Sequence, residues 1–414
     1  MTCIFATKYM PPAVFVLPLH DRFNHDLLLH VNESRSFGHL HWTQTWFSRG
    51  RDVYLHSAAE YDQDVYLHSL LQSHPRITSR VEEADIIYAP FYYHRLRKHW
   101  LALTYAQRAQ LVAAFRAEMQ QWMALYPPSG SRKYLTTASS VCSCGDDSAQ
   151  CHPWAAPGEN TSLIQRHLMV LAWERPPFLV PGLAATIVTP YFVPLPGSWS
   201  PPAVGTPRKL LVLATCGLRQ GNLCTRCGPC FREAAASTES DCQDGCRQIR
   251  PRLHETLKRW AEEVNDVGIM EAGTRRHTQN YSSYIEAMSD SVFCLQPSGD
   301  TLTRAAFYQA ILFGCIPVVF REDDAFLGVL ALSPRIPYRS LWAFVPEASA
   351  LSDDFDIVRH LRRIPRAQID AKQTLLRSVA PLLAFPLGTS ARSDDGRRAL
   401  EATLDAVWEA GRAG

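Results

Sequence analysis

The chain lacks a dominant charge. Its 42 lysines and arginines face 40 aspartates and glutamates, a net charge of +2 over 414 residues. A general nucleic-acid binder is normally strongly basic, so that class is disfavoured. No apolar run reaches 18 residues, so no membrane-spanning helix is written in it. The start, MTCIFATKYMPPAVFVLPL, is broken by Pro11 and Pro12 and has no signal-peptide layout. There is no internal repeat, low-complexity tract or coiled coil. No Asp-x-Asp metal motif stands in a promising place; Asp323-Asp324 and Asp353-Asp354 read as solvated loop charges.

What is present is ordinary globular material, 46% hydrophobic and long enough for two domains with separate cores. The 12 cysteines point to an oxidising compartment. So do three glycosylation sequons, at Asn32, Asn160 and Asn280.

The most informative stretch is FCLQPSGDTLTRAAFYQAILFGCIPVVF, Phe293 to Phe320. The run Ser291–Leu295 reads as a buried strand, and Pro297-Ser298-Gly299-Asp300 as a turn. Asp300 or Thr301 is expected to cap a helix running to about Phe313, with Arg304 in its first turn. Gly314 ends the helix and Ile316–Phe320 returns as a strand. A strand–turn–helix–strand unit of this kind is half of a nucleotide-binding domain. Its turn offers backbone N–H groups at a positive helix end, and Arg304 adds a cation for a phosphate. Cys294 and Cys315 read as small core residues.

The same residues resemble the signature of the exostosin-type glycosyltransferases (family 47), in particular its plant and algal xyloglucan galactosyltransferase-like branch. That branch usually reads FCLxPxGDxxTRRxxFDAxxxGCIPV. Two positions depart from it: Ala305 stands where a second arginine is usual, and Gln309 where an aspartate is. Other blocks resemble the family too, among them VFVLPLHDRFNHDLL from Val14 and RITSRVEEADIIYAPFY ending at Tyr92.

Strand and helix patterns alternate in both halves, α/β throughout, separated by the proline-rich run Pro194–Pro207. Two Rossmann-like doubly wound domains facing a cleft are expected, an arrangement for which the resemblance supplies the name GT-B. The expected division is an acceptor-side domain over 1–200, a nucleotide-sugar domain over 201–360, and helices over 361–414 packing back. Residues 357–380 and 397–411 read as those helices.

The resemblance implies an inverting transfer from a nucleotide sugar, a UDP-sugar above all, to a glycan or glycoprotein acceptor, including cell-wall polysaccharide. It implies the Golgi lumen as the site of action, with the family's usual membrane anchor not in this chain. No metal cofactor is expected to be required, because arginines and a helix end take that role. The donor-binding candidates are Ser298, Gly299, Asp300, Thr301 and Arg304 in the signature, Arg219 after the strand Lys209–Thr215, and Glu347 for the ribose hydroxyls. Each has a plainer reading: Arg304 as a surface arginine paired with Asp300, Arg219 as a loop arginine, Glu347 as a helix-start glutamate. His94, after Pro90-Phe91-Tyr92-Tyr93, is the candidate catalytic base, with Asp21 and His167 as rivals.

Cys224, Cys227 and Cys230, followed by Cys242 and Cys246 with Cys216 upstream, have the spacing of a zinc ribbon. The secretory reading favours disulfides instead. Two alternatives stay open: a catalytically silent partner subunit of a glycosyltransferase, suggested by Ala305, and a zinc-ribbon binding protein.

Overall fold

The computed structural model describes residues 11–24, 63–72, 74–92, 104–129, 132–137, 167–172, 185–191, 193, 195, 200–216, 239–270, 281–298, 302–333, 335–385 and 394–413. Two parallel five-stranded sheets organise them.

The first sheet holds β1 (Val14–Val16), β2 (Ile86–Ala89), β3 (Lys133–Thr137), β4 (Leu168–Ala172) and β5 (Ala185–Val188), adjacent in that order. β1, β2 and β4 are near-continuous apolar runs, as expected of strands covered on both faces. Between them come helices α1 (Gln63–Gln72) and α2 (Tyr105–Leu125). A capping box starts α2: Gln107 N–H donates to Thr104 Oγ1 at 3.3 Å, and Thr104 N–H to Gln107 Oε1 at 2.8 Å. Phe115, Met119 and Met123 of α2 pack on one face of the sheet with Ile87, Ala89 and Tyr134.

The second sheet comprises β6 (Leu210–Ala214), β7 (Val267–Ile269), β8 (Ser291–Gln296), β9 (Ile316–Val319) and β10 (Ala343–Phe344). Its spatial order is β10-β9-β8-β6-β7. Helix α3 (Glu239–Glu263) precedes β7, α4 (Tyr281–Ser289) precedes β8 and α5 (Ala305–Leu312) precedes β9. Short helices α6 (Asp324–Gly328) and α7 (Tyr338–Leu341) lead to β10. After it come α8 (Glu347–Leu351), α9 (Ile357–Arg362), α10 (Arg366–Leu383) and α11 (Asp394–Ala413). The last helix returns to the first sheet, where Leu400, Leu404 and Val407 pack with Ile86, Tyr88 and Leu135 on the face opposite α2. Arg76 pairs with Asp405 at 2.8 Å across that seam.

Four details differ from the sequence reading. The signature helix begins at Ala305, with Arg304 an extended N-cap residue at φ −153°, ψ 152° and no side-chain cap bond. The sequence suggests a helix from Arg252 to Val264, but α3 starts well before Arg252 and runs through Pro251. The expected helix over 357–380 is two helices, because Pro365 fixes its own φ and forces Ile364 out of helical backbone. The chain entering the proline-rich run is already part of the second core, through Tyr191 and Val193 before it and Leu195 at its start.

Cys294 and Cys315 are not separate core residues but a disulfide with Cα atoms 5.8 Å apart. The end of α5 explains it. Cys315 N–H bonds to Ala310 O at 2.9 Å and Gly314 N–H to Ile311 O at 3.2 Å. This paired turn puts Gly314 at φ +71°, where a side chain is strained. It swings Cys315 back beside β8, whose Phe293 pairs with Ile316.

Candidate functional site

A parallel sheet gathers its loops at the carboxyl ends of its strands, and ligands sit where the strand order reverses. In the second sheet the reversal falls between β6 and β8: from β6 the chain goes outward to β7, then returns to the other side as β8. Ala214 is in register with Leu295, so the next residues, Thr215 and Gln296, close the two central strands side by side.

That point holds a concentration of unpaired polar atoms. Among the described residues, Thr215 Oγ1, both Gln296 side-chain atoms Oε1 and Nε2, Arg304 Nη1 and His254 Nδ1 are buried without a hydrogen-bond partner. Thr215 is fully buried, His254 2% exposed and Gln296 7% exposed. Buried polar groups are ordinarily satisfied, so such a group invites a ligand or water.

The surrounding bonds fix the frame. Arg304 Nη2 donates to Thr215 O at 3.1 Å, which draws the guanidinium across the gap between the strands. From α3, Arg250 donates through Nε and Nη2 to Ser298 O at 3.1 and 2.6 Å. One turn on, His254 Nε2 lies 3.2 Å from Cys216 O. In the neutral ring that contact puts the hydrogen on Nε2 and leaves Nδ1 an acceptor. One helix thus braces both strand ends. The N-terminus of α5 opens beside Arg304, adding the positive end of its dipole.

Glu347 lies at the start of α8, after the outer strand β10, with its N–H bonded to Phe320 O at 3.2 Å. Burial raises its pKa, and the nearby Arg321 partly opposes the rise. Arg321 follows β9 and is itself bonded to Asp323 through Nε and Nη2 at 3.0 and 2.8 Å.

Of the predicted residues, Ser298, Arg304 and Glu347 therefore stand at one edge of one sheet. His94, Arg219, Gly299, Asp300 and Thr301 lie outside the described residues, as do Cys224, Cys227 and Cys230. Cys242 and Cys246 are on α3. Cys216 is a buried free thiol just past β6. Among the described residues no group of three or more His, Cys, Asp or Glu side chains is placed to hold a metal. Of the rival bases, Asp21 is exposed in a 3-10 turn after β1. His167 precedes β4, at the amino end of the first sheet and away from its ligand edge.

Several residues of interest were missed. Thr215, Gln296, Arg250 and His254 carry no motif of their own. The available signal was a polar residue closing an apolar strand, as Gln296 does in SVFCLQ. In the first domain, buried His68 of α1 bonds through Nδ1 to Tyr92 Oη at 2.9 Å, at the carboxyl end of β2. Gln72 Nε2 lies 3.2 Å from its other nitrogen.

The chain matches the Exostosin GT47 domain over residues 10–355. It is 22% identical to Xyloglucan-specific galacturonosyltransferase 1 of Arabidopsis thaliana, over 96% of this chain and 56% of that protein. It is 30% identical to Xyloglucan galactosyltransferase MUR3 of the same plant, over 30% of this chain and 19% of that protein. The chain spans about half the length of the first relative and less of the second. The GtfA/B complex superposes loosely, with a TM-score of 0.35 and 11% identity, over 87% of this chain and 62% of that one.

Proposed function

The chain belongs to the exostosin GT47 family, and from that premise we propose that it is an inverting glycosyltransferase. It moves a sugar from a UDP-sugar to a glycan or glycoprotein acceptor. The observation that carries this reading is the set of unpaired buried polar atoms around Arg304 at the β6/β8 reversal.

The leaving group of the reaction is a nucleoside diphosphate, and its developing charge must be met by fixed positive groups. Arg304 Nη1 and the N-terminus of α5 supply these from one place. That supply lets the transfer proceed without a metal cofactor. Glu347 accepts from the ribose hydroxyls in this reading. The acceptor hydroxyl attacks the anomeric carbon from the opposite side and gives its proton to a base of the first domain. His94 is the candidate for that base. The named relatives act on xyloglucan, which supports a cell-wall polysaccharide as acceptor. The sequons support a lumenal, Golgi setting. Among the described residues no helix is long and apolar enough to cross a membrane.

A thermal-shift panel of UDP, UDP-galactose, UDP-galacturonic acid and other nucleotide sugars tests the reading. A native-state ligand at a hundred times its Kd stabilises by about 2.7 kcal/mol, which is easily seen. A chain that responds to none of them is not a glycosyltransferase. A second reading rests on Ala305, the first residue of α5, where the family pattern carries an arginine. There the chain is a silent partner subunit. Nucleotide binding without turnover, together with stabilisation of an active partner, selects it.

A further inference from the structure

The unpaired atoms at the β6/β8 reversal are of two kinds. Arg304 Nη1 and Gln296 Nε2 only donate, Gln296 Oε1 and His254 Nδ1 only accept, and Thr215 Oγ1 does either. A diphosphate satisfies the donors and leaves the acceptors bare, because its oxygens carry no hydrogen at neutral pH. It also sets negative charge against Gln296 Oε1. This set of atoms therefore asks for a second group, one that both gives and takes a hydrogen bond, next to the anion.

In a nucleotide sugar the group with that property is a hydroxyl. We propose that Gln296, with Thr215 beside it, binds a hydroxyl of the donor adjoining the diphosphate, and so helps decide which nucleotide sugar is used. This rests on the glycosyltransferase reading above. A carboxamide presents one donor and one acceptor in a fixed plane, which suits a hydroxyl or a pair of neighbouring hydroxyls. Burial sharpens the choice. A donor with a hydrogen in the wrong position leaves Gln296 unpaired inside the protein, and unpaired buried groups are what discriminate strongly between similar ligands. Direct bonding also places Gln296 among residues that touch the donor rather than those that merely support the sheet. Its register neighbour on β9, Val319, is apolar, as is Leu295 before it.

Two sources of hydroxyl share this chemistry, the transferred sugar and the ribose, and binding measurements separate them. The variant is Gln296→Met, which keeps the length of the side chain and removes both polar atoms. Calorimetric titration compares UDP with whichever UDP-sugar gives the largest shift in the panel. About tenfold weaker binding of the UDP-sugar with UDP binding unchanged assigns a hydroxyl of the transferred sugar. An equal loss for both ligands assigns a ribose hydroxyl. Unchanged affinity for both ligands overturns the proposal, since Gln296 is then solvated by buried water or idle. Should Gln296→Met fail to fold, Gln296→Glu keeps the shape and puts a carboxylate beside the diphosphate. It is expected to weaken both ligands more than tenfold, and wild-type affinity in it overturns the proposal equally. Wild-type protein that binds no nucleotide at all removes the glycosyltransferase reading and this assignment with it. A wild type that binds while its variants match it removes this assignment alone.

Discussion

Arg304 is tied by Nη2 to the main-chain oxygen of Thr215 at 3.1 Å, while its Nη1 is buried and unpaired. One nitrogen thus fixes the guanidinium across the reversal of the sheet, and the other is left for a ligand. A lysine, a point charge without a second arm, cannot do both.

Replacing Arg304 with alanine removes a charge-assisted bond of about 1.5–3 kcal/mol, so donor affinity falls roughly ten- to a hundredfold. Arg304→Lys is expected to recover only part of the loss. Titration with UDP and UDP-sugars checks this. Wild-type affinity in the alanine variant means that Arg304 serves only to join β6 to α5.

Glu347 behaves in the opposite sense toward stability. Burial raises its pKa despite Arg321, so the folded state holds this proton more tightly than the unfolded chain does. Stability linked to the group is fully present below the unfolded pKa and is lost as pH rises through the folded one. Above the folded pKa, ionising this buried group is therefore a native-state cost. Glu347→Gln is expected to raise the melting temperature at pH 7, and to lower donor affinity if the group holds the ribose. A melting temperature that falls at pH 7 contradicts the burial argument.

How far the chain could be read without coordinates follows from what each signal depends on. The strands were legible because runs such as LLVLA and IPVV are apolar, branched and bounded by breakers. The start of α5 was misplaced because Asp300 and Thr301 offer good caps and the competing choice, an extended Arg304 reaching Thr215, is a tertiary contact. The pairing of Cys294 with Cys315 was hidden in the same way, since it needs the turn at Gly314 and the β8–β9 register together. Thr215 and Gln296 mean little until β6 and β8 are known to be neighbours. His68 carries no signal of its own until Tyr92 is placed against it.

The Cys294–Cys315 disulfide closes a loop with a sequence separation of 21 residues, and both cysteines are fully buried. The loop-closure argument gives about 3 kcal/mol for a bridge of this span. The double variant Cys294→Ala/Cys315→Ala is expected to lose that much in urea denaturation. Added reductant is expected to change the wild type little until it unfolds, because both cysteines are fully buried. An undiminished midpoint in the double variant shows the bond to be absent or without effect.

His74 makes the seam between α11 and the first sheet sensitive to acid. Its pKa is pushed down to about 4 from 6.5, first by burial and then by Arg76 and Arg397. Its Nδ1 accepts from Arg76 N–H at 3.3 Å, and Nε2 is 4.0 Å from Glu401, too distant to hold a proton firmly. Below about pH 6.5 the unfolded chain takes up a proton that the native site refuses. Stability from this group is therefore complete above pH 6.5 and drains away as pH falls toward 4. His74→Gln is expected to flatten that part of the stability–pH curve, measured by urea unfolding at intervals from pH 4 to 7. The change belongs to the packing of α11 on Leu71, Ile86 and Leu135, so fluorescence from the first domain should report it before the second domain unfolds. A slope between pH 4 and 6.5 that survives the substitution assigns the acid sensitivity to other groups.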